Sequence, residues 1–250
     1  MTVDDHSLGL RLGVAAVLTP LLLVPFALIA AFVVGDWPPL HELDATVTDG
    51  LHRFAEAHPF WVGVMLVWSW VFGPMPLRVA ALVLLIWLIR RRHAPRLALW
   101  VAVTMTVGGV LAALIKLLVG RDRPELLDPV ARAAGYSFPS GHSANAALTA
   151  GVFLLVLLPF TRDRTGRRVA LWAAAIVVTL VTGLSRIILG VHWTSDVLAG
   201  WLLGVAVVAA TTVAFHSRRT RRGGRSAPAT VEGLEPDLAE PTSQRSGGRA

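Results

Sequence analysis

Cysteine is absent from the 250 residues. That removes a disulfide framework, a thiol nucleophile and a cysteine metal site, and it leaves the redox state of the compartment unreadable. Charge is scarce: 16% of residues are Asp, Glu, Lys or Arg, against about 25% in an ordinary soluble domain. Lysine is almost missing. The 23 basic residues comprise 22 arginines and one lysine, Lys116, which falls inside an apolar stretch. Hydrocarbon fills the chain instead, at 54% hydrophobic residues and a mean hydropathy of +0.62, so lipid is its main solvent. The net charge of +7 gathers in short arginine runs between apolar stretches. Such runs orient a membrane protein rather than bind nucleic acid, and no basic patch is interleaved with aromatics.

A bilayer core takes about 20 apolar residues in helical form. Leu12–Val34, Leu97–Val119, Ala144–Phe160, Val169–Leu189 and Val197–Phe215 meet that requirement. Leu77–Ile89 is shorter but uninterrupted and ends on Arg90-Arg91-Arg92, so it counts as a sixth span beginning near Pro76. Phe60–Phe72 carries Trp61, Trp68 and Trp70 and closes on Gly73-Pro74; this suits a helix at the membrane interface. The expected fold is all-α: a polytopic membrane protein with six transmembrane helices and an interfacial helix in the first outer loop.

Charge parity supports six crossings and sets their direction. With a cytoplasmic N-terminus, the clusters Arg90, Arg91, Arg92 and Arg96, then Arg162, Arg164, Arg167 and Arg168, then Arg218, Arg219, Arg221, Arg222 and Arg225 all fall inside, as the positive-inside rule asks. The outer loop after Gly35 holds Asp36, Glu42, Asp44, Asp49 and Glu56 against Arg53. A seventh crossing over Phe60–Phe72 would put one basic cluster on the wrong side. The first span is too long for a signal peptide and is preceded by Asp4 and Asp5, which predicts an uncleaved anchor. The membrane domain is expected over residues 1–215, in the cell membrane with both termini cytoplasmic. Residues 216–250 form a basic juxtamembrane segment and a polar tail predicted to be disordered. The proximal arginines either touch anionic headgroups or serve as a solvated stop-transfer flank.

This topology brings four places to the outer face: the end of span three, the start of span four, the end of span five and the start of span six. Those places carry the unusual polar residues, within KLLVGRDRP (Lys116–Pro124), FPSGHSAN (Phe138–Asn145) and SRIILGVHWTSD (Ser185–Asp196). Ionisable groups at membrane depth cost roughly 2.5 kcal/mol or more each and mark function or pairing. The cations Lys116, Arg123 and Arg186 outnumber the acid Asp196, so the site asks for an anion, and a tetrahedral phosphate suits arginine forks and a lysine point charge. Pro139-Ser140-Gly141 opens a helix whose N-terminal amides favour the same anion. His192 and Asp196, four apart, share a helical face, so the carboxylate can take one ring nitrogen and leave the other as a nucleophile. His142, at the mouth of span four, is placed as general acid toward a leaving oxygen.

These residues resemble the type 2 phosphatidic acid phosphatase superfamily, which also includes vanadium-dependent haloperoxidases and glucose-6-phosphatase. Its pattern K-x6-RP, PSGH and SR-x5-H-x3-D is matched in order by Lys116 with Arg123-Pro124, by Pro139 to His142, and by Ser185-Arg186 with His192 and Asp196. The resemblance implies an integral membrane lipid-phosphate phosphatase without a metal or other cofactor. His192 would form a phosphohistidine, oriented by Asp196, and His142 would protonate the leaving alkoxide. Lys116, Arg123, Ser140, Gly141 and Arg186 would bind the phosphoryl group. The implied partners are membrane lipids and a lipid phosphate: phosphatidic acid, phosphatidylglycerol phosphate or a polyprenyl pyrophosphate. Other readings of the same residues are a phosphotransferase, a haloperoxidase (a class that is soluble and larger), a non-enzymatic lipid-phosphate-binding or transport protein, and a metal site built from His142, His192 and Asp196. Arg121, Asp122 and Ser185 lie within or beside the motifs and receive no role from sequence.

Overall fold

The structure, a computed structural model, describes residues 3–126, 130–161 and 164–221, with side chains between 17 and 215. Among them there is no strand. The α-helices are α1 (Val3–Val34), α2 (Pro38–Ala57), α3 (Pro59–Val71), α4 (Pro74–Arg90), α5 (Pro95–Val119), α6 (Gly141–Leu157), α7 (Thr165–Ile188) and α8 (Thr194–Arg221). Four starts share one device: Pro38, Pro59, Pro74 and Pro95 each open a helix. There the missing N–H is no loss and φ is already helical.

Among the described residues, six segments are long and apolar enough to cross a membrane: Val17–Val34, Pro59–Arg90, Pro95–Val119, Gly141–Thr161, Thr165–Ile188 and Thr194–Phe215. The second differs from the sequence-based boundaries, because α3 joins α4 in one stretch of 32 residues. At 1.5 Å per residue that is roughly 48 Å, well beyond a 30 Å hydrocarbon core. The stretch breaks at Gly73, whose extended backbone (ψ 170°) precedes Pro74. That break divides α3 from α4, and α3 leaves Phe60, Trp61 and Trp70 exposed. The rest of the bundle's outer wall is also apolar, to the point that Leu118 is 84% exposed, as expected of a lipid-facing surface. α8 runs on through 216–221 into the basic segment, since arginine is a good helix former. The tail predicted to be disordered lies outside the described residues.

The centre of the bundle is the seam between α6 and α8. A Cβ at Gly200 would lie 2.7 Å from the Ser140 carbonyl oxygen, and one at Gly204 would lie 2.6 Å from the Ala147 Cβ. Two glycines four apart thus let the helix backbones approach closely, the means by which membrane helices pack without a hydrophobic driving force. Below the seam, Trp100, Leu148, Val152 and Leu203 form the core. A hydrogen bond of 2.8 Å between Thr104 and Thr211 ties α5 to α8. The seam matters for function because motif FPSGHSAN opens α6 and motif SRIILGVHWTSD leads into α8.

Candidate active site

α5 ends on Gly120, in the left-handed conformation (φ 64°) that glycine adopts without a Cβ penalty. The turn folds the following loop back over the helix end, where Lys116 Nζ donates to the carbonyls of Tyr136 (2.6 Å) and Ser137 (3.2 Å). Arg123 gathers the same loop. Its Nε donates to Gly135 O, and Nη2 donates to Ala134 O and Tyr136 O. Nη1 reaches across to Val191 O at 2.6 Å and lies 3.2 Å from His192 Nε2. The first and third motifs therefore meet at Arg123.

His192 is 2% exposed, in the short link between α7 and α8. Because a guanidinium only donates, Nε2 is the ring's acceptor and Nδ1 carries the proton. Nδ1 points to Asp196 Oδ2 at 3.3 Å, and that oxygen also accepts the Trp193 N–H at 2.9 Å. Burial lowers the His192 pKa from 6.5 to about 4; Arg123 and Arg186 push the same way, while the Asp196 hydrogen bond and charge oppose them. The ring is thus neutral at neutral pH with a lone pair on Nε2. Arg123, also outside the spans, has its pKa lowered by burial, with the Asp196 charge opposing.

The second motif arrives from α6. Ser140 is its N-cap, and the Ser140 N–H donates to the Asp196 carbonyl at 2.9 Å, so motifs two and three are joined through backbone. The Ser140 hydroxyl is 3.5 Å from the Ser143 N–H, at the outer limit of a bond. His142, second in α6, faces the α3–α4 break, where a Cβ at Gly73 would lie 3.5 Å from its Nε2. Arg186 enters beside it from α7. Its Nη1 donates to Ser69 Oγ at 2.5 Å, and its buried Nε has no hydrogen-bond partner among the described residues.

Every residue singled out from sequence thus lies at one end of the bundle, on motifs that touch. Lys116 and Arg123 are joined through the Tyr136 carbonyl, Arg123 meets His192, His192 meets Asp196, and Ser140 beside Gly141 meets Asp196 in turn. His142 and Arg186 approach with the α3–α4 break. Several polar partners were not found from sequence. Arg121 Nη1 donates to Asp196 Oδ1 at 2.8 Å, and Nη2 donates to Asp44 Oδ2 at 2.8 Å. Ser69 holds Arg186, and Arg78 Nε of α4 donates to Asn145 Oδ1 at 3.1 Å. Arg121 had a visible signal, a position inside the first motif; Asp44 and Ser69 had none beyond being polar.

Residues 97–220 match the model of the PAP2 superfamily. They are a PAP2 superfamily domain. Among curated proteins, the chain is similar to phosphatidylglycerophosphatase B of Bacillus subtilis, at 37% identity over 99 residues, 38% of this chain and 47% of that one. It is also similar to an undecaprenyl-diphosphatase of Sulfolobus acidocaldarius, at 29% identity over 120 residues, 45% of this chain and 52% of that one. A lipid A 1-phosphatase of Rhizobium johnstonii matches at 31% identity over 121 residues, 45% of each chain. The matched stretch spans about half the length of these relatives. Among solved structures, a transmembrane PAP2 type phosphatidylglycerolphosphate phosphatase from Bacillus subtilis superposes with a TM-score of 0.72. That match covers 84% of this chain and 98% of that one at 22% identity, so it speaks for the fold. The PAP2 domain holds all three motifs, whereas α1 to α4, with Asp44, Ser69 and Gly73, lie before it.

Proposed function

We propose that the chain is an integral membrane lipid-phosphate phosphatase that works through a phosphohistidine. The observation that carries this reading is a buried His192 whose Nε2 lies 3.2 Å from the Arg123 guanidinium while Nδ1 is directed to the Asp196 carboxylate. Its Nε2 attacks phosphorus and the bond to the lipid oxygen breaks. His142 gives that oxygen its proton. Water then attacks the phosphohistidine, His142 takes the water's proton, the P–N bond breaks and phosphate leaves. Lys116, Arg123, Arg186, Ser140 and the Gly141 backbone N–H hold the phosphoryl oxygens and stabilise the charge that spreads over them. The unpartnered Arg186 Nε supports this, because a buried donor without an acceptor costs about 1–3 kcal/mol and a phosphate oxygen would satisfy it.

The reaction as written needs no metal. Among the described residues, no three His, Cys, Asp or Glu side chains form a metal-ligand group. The substrate class is a lipid bearing a terminal phosphate or pyrophosphate: phosphatidylglycerol phosphate, a polyprenyl pyrophosphate or phosphatidic acid. The site faces the extracytoplasmic side, with both termini cytoplasmic, by the charge parity of the connections.

Purified chain in detergent, given these three lipids in separate assays with EDTA present, is expected to release inorganic phosphate from at least one. His192→Ala is expected to abolish release. Full activity in His192→Ala overturns the nucleophile, and activity lost in EDTA and restored by a divalent ion overturns the metal-free reaction.

A further inference from the structure

We propose that Asp44, on α2 and outside the PAP2 domain, is a positioning residue for the nucleophile, acting through Arg121 on the Asp196–His192 pair. The inference rests on the reading of His192 given above. Of the five acids in the segment after Gly35, Asp36, Glu42, Asp49 and Glu56 are exposed, whereas Asp44 is 0% exposed. A carboxylate withdrawn from solvent is tolerated only when paired and hydrogen-bonded, and the partners of Asp44 are specific. Its Oδ1 accepts the Ser195 N–H at 2.9 Å, and its Oδ2 accepts the Ser195 hydroxyl at 2.5 Å and Arg121 Nη2 at 2.8 Å. Ser195 is next to Asp196, and the other arm of Arg121, Nη1, holds both Ser195 Oγ and Asp196 Oδ1.

One guanidinium is thus shared by two buried carboxylates, and this ties the charge of Asp44 to the chemistry. With Oδ1 of Asp196 on Arg121 and Oδ2 on His192 Nδ1 and the Trp193 N–H, neither oxygen of Asp196 is free to rotate. Arg121 draws on the negative charge that keeps the imidazole basic, and Asp44 compensates by neutralising Arg121 from behind. The other charged or titratable groups facing His192 are Arg123 from the loop after α5, Arg186 from α7 and His142 from α6. All three add positive charge when protonated, so the balance on the negative side is set by Asp196 and, one contact further out, by Asp44. A purely structural link between α2 and α8 would need the Ser195 contacts alone; the charge pair with Arg121 would be surplus to it.

The test uses the full chain in detergent with its eight histidines labelled with nitrogen-15, the His192 ring signal being identified by its loss in His192→Gln. The expected signs are opposite for the two ends of the relay. Arg121→Gln removes positive charge and raises the His192 titration midpoint by about half a unit or more, and adding Asp44→Asn to that variant lowers it again. In turnover assays Asp44→Asn reduces kcat about tenfold or more and leaves KM within about twofold, the signature of an interaction made in the transition state. If Asp44→Asn does not fold, Arg121→Lys replaces it in the turnover assay. That variant keeps the charge but not the fork, and a lower kcat at unchanged KM is again expected. A midpoint unmoved in every folded variant overturns the proposal, and so does a wild-type kcat in Asp44→Asn or Arg121→Lys. The titration needs no turnover, so it reads the relay even if the wild-type chain releases no phosphate, which would instead refute the phosphatase reading.

Discussion

At the scale of single residues, the site depends on keeping a histidine neutral among cations. Desolvation is the largest cause of the fall in the His192 pKa from 6.5 to about 4, ahead of Arg123 and Arg186. As the proposed nucleophile, His192 therefore needs no deprotonation at neutral pH. For catalysis, the acid limb of kcat/KM attributable to His192 is expected near pH 4 rather than 6.5, and a pH–rate profile checks it. For stability, the folded pKa lies below the unfolded one, so between about pH 6.5 and 4 the unfolded chain binds a proton that the folded chain refuses. Stability contributed by neutral His192 is thus full above about pH 6.5 and is lost as pH falls through that window. Thermal unfolding in detergent at pH 7 and pH 4.5 is expected to show a drop that is smaller in His192→Gln.

At the scale of helices, two close approaches assemble the site. The α6–α8 seam brings Ser140 onto Asp196 because positions 200 and 204 have no side chain. Gly200→Val would drive its Cβ, 2.7 Å from a backbone oxygen and 2.8 Å from the Ser143 Cβ, into atoms that cannot rotate away. The helices must then part, at a cost of about 1–3 kcal/mol, and motif two leaves motif three. Loss of phosphate release together with a lower melting temperature is expected. Gly50→Ala is expected to change neither, since nothing lies within 4 Å of its new Cβ. The second approach is the α3–α4 break, where Gly73 and Ser69 bring a non-motif segment against His142 and Arg186.

At the scale of the whole molecule, six apolar segments and the arginine runs between them define a sidedness that labelling can read. The chain has no cysteine, so each introduced thiol reports without background. Leu43→Cys, on an exposed position of α2, is expected to react with a membrane-impermeant maleimide in intact cells. Arg91→Cys, between α4 and α5, is expected to react only after permeabilisation. Labelling of both from the same side would refute the crossing between them, and with it the placement of the site at the outer face.

The parts of this protein determined by sequence alone are those that depend on composition and spacing along one helix. Lipid as solvent, six spans and a helix over Phe60–Phe72 follow from local order, because helix periodicity decides which side chains share a face. The expected shared helical face of His192 and Asp196 does not form, since His192 stands in the link before α8 and meets Asp196 from there. The three motifs were legible for the same reason, each being short and continuous. Tertiary structure alone decided which acid of five in the segment after Gly35 is buried, and that Arg121 bridges it to Asp196. It also decided that the tryptophan-rich helix ends against His142. Those contacts join residues from about 75 to 150 positions apart. Burial and partner choice at such separations are set by how helices pack against one another, and a single sequence carries no periodicity that records it.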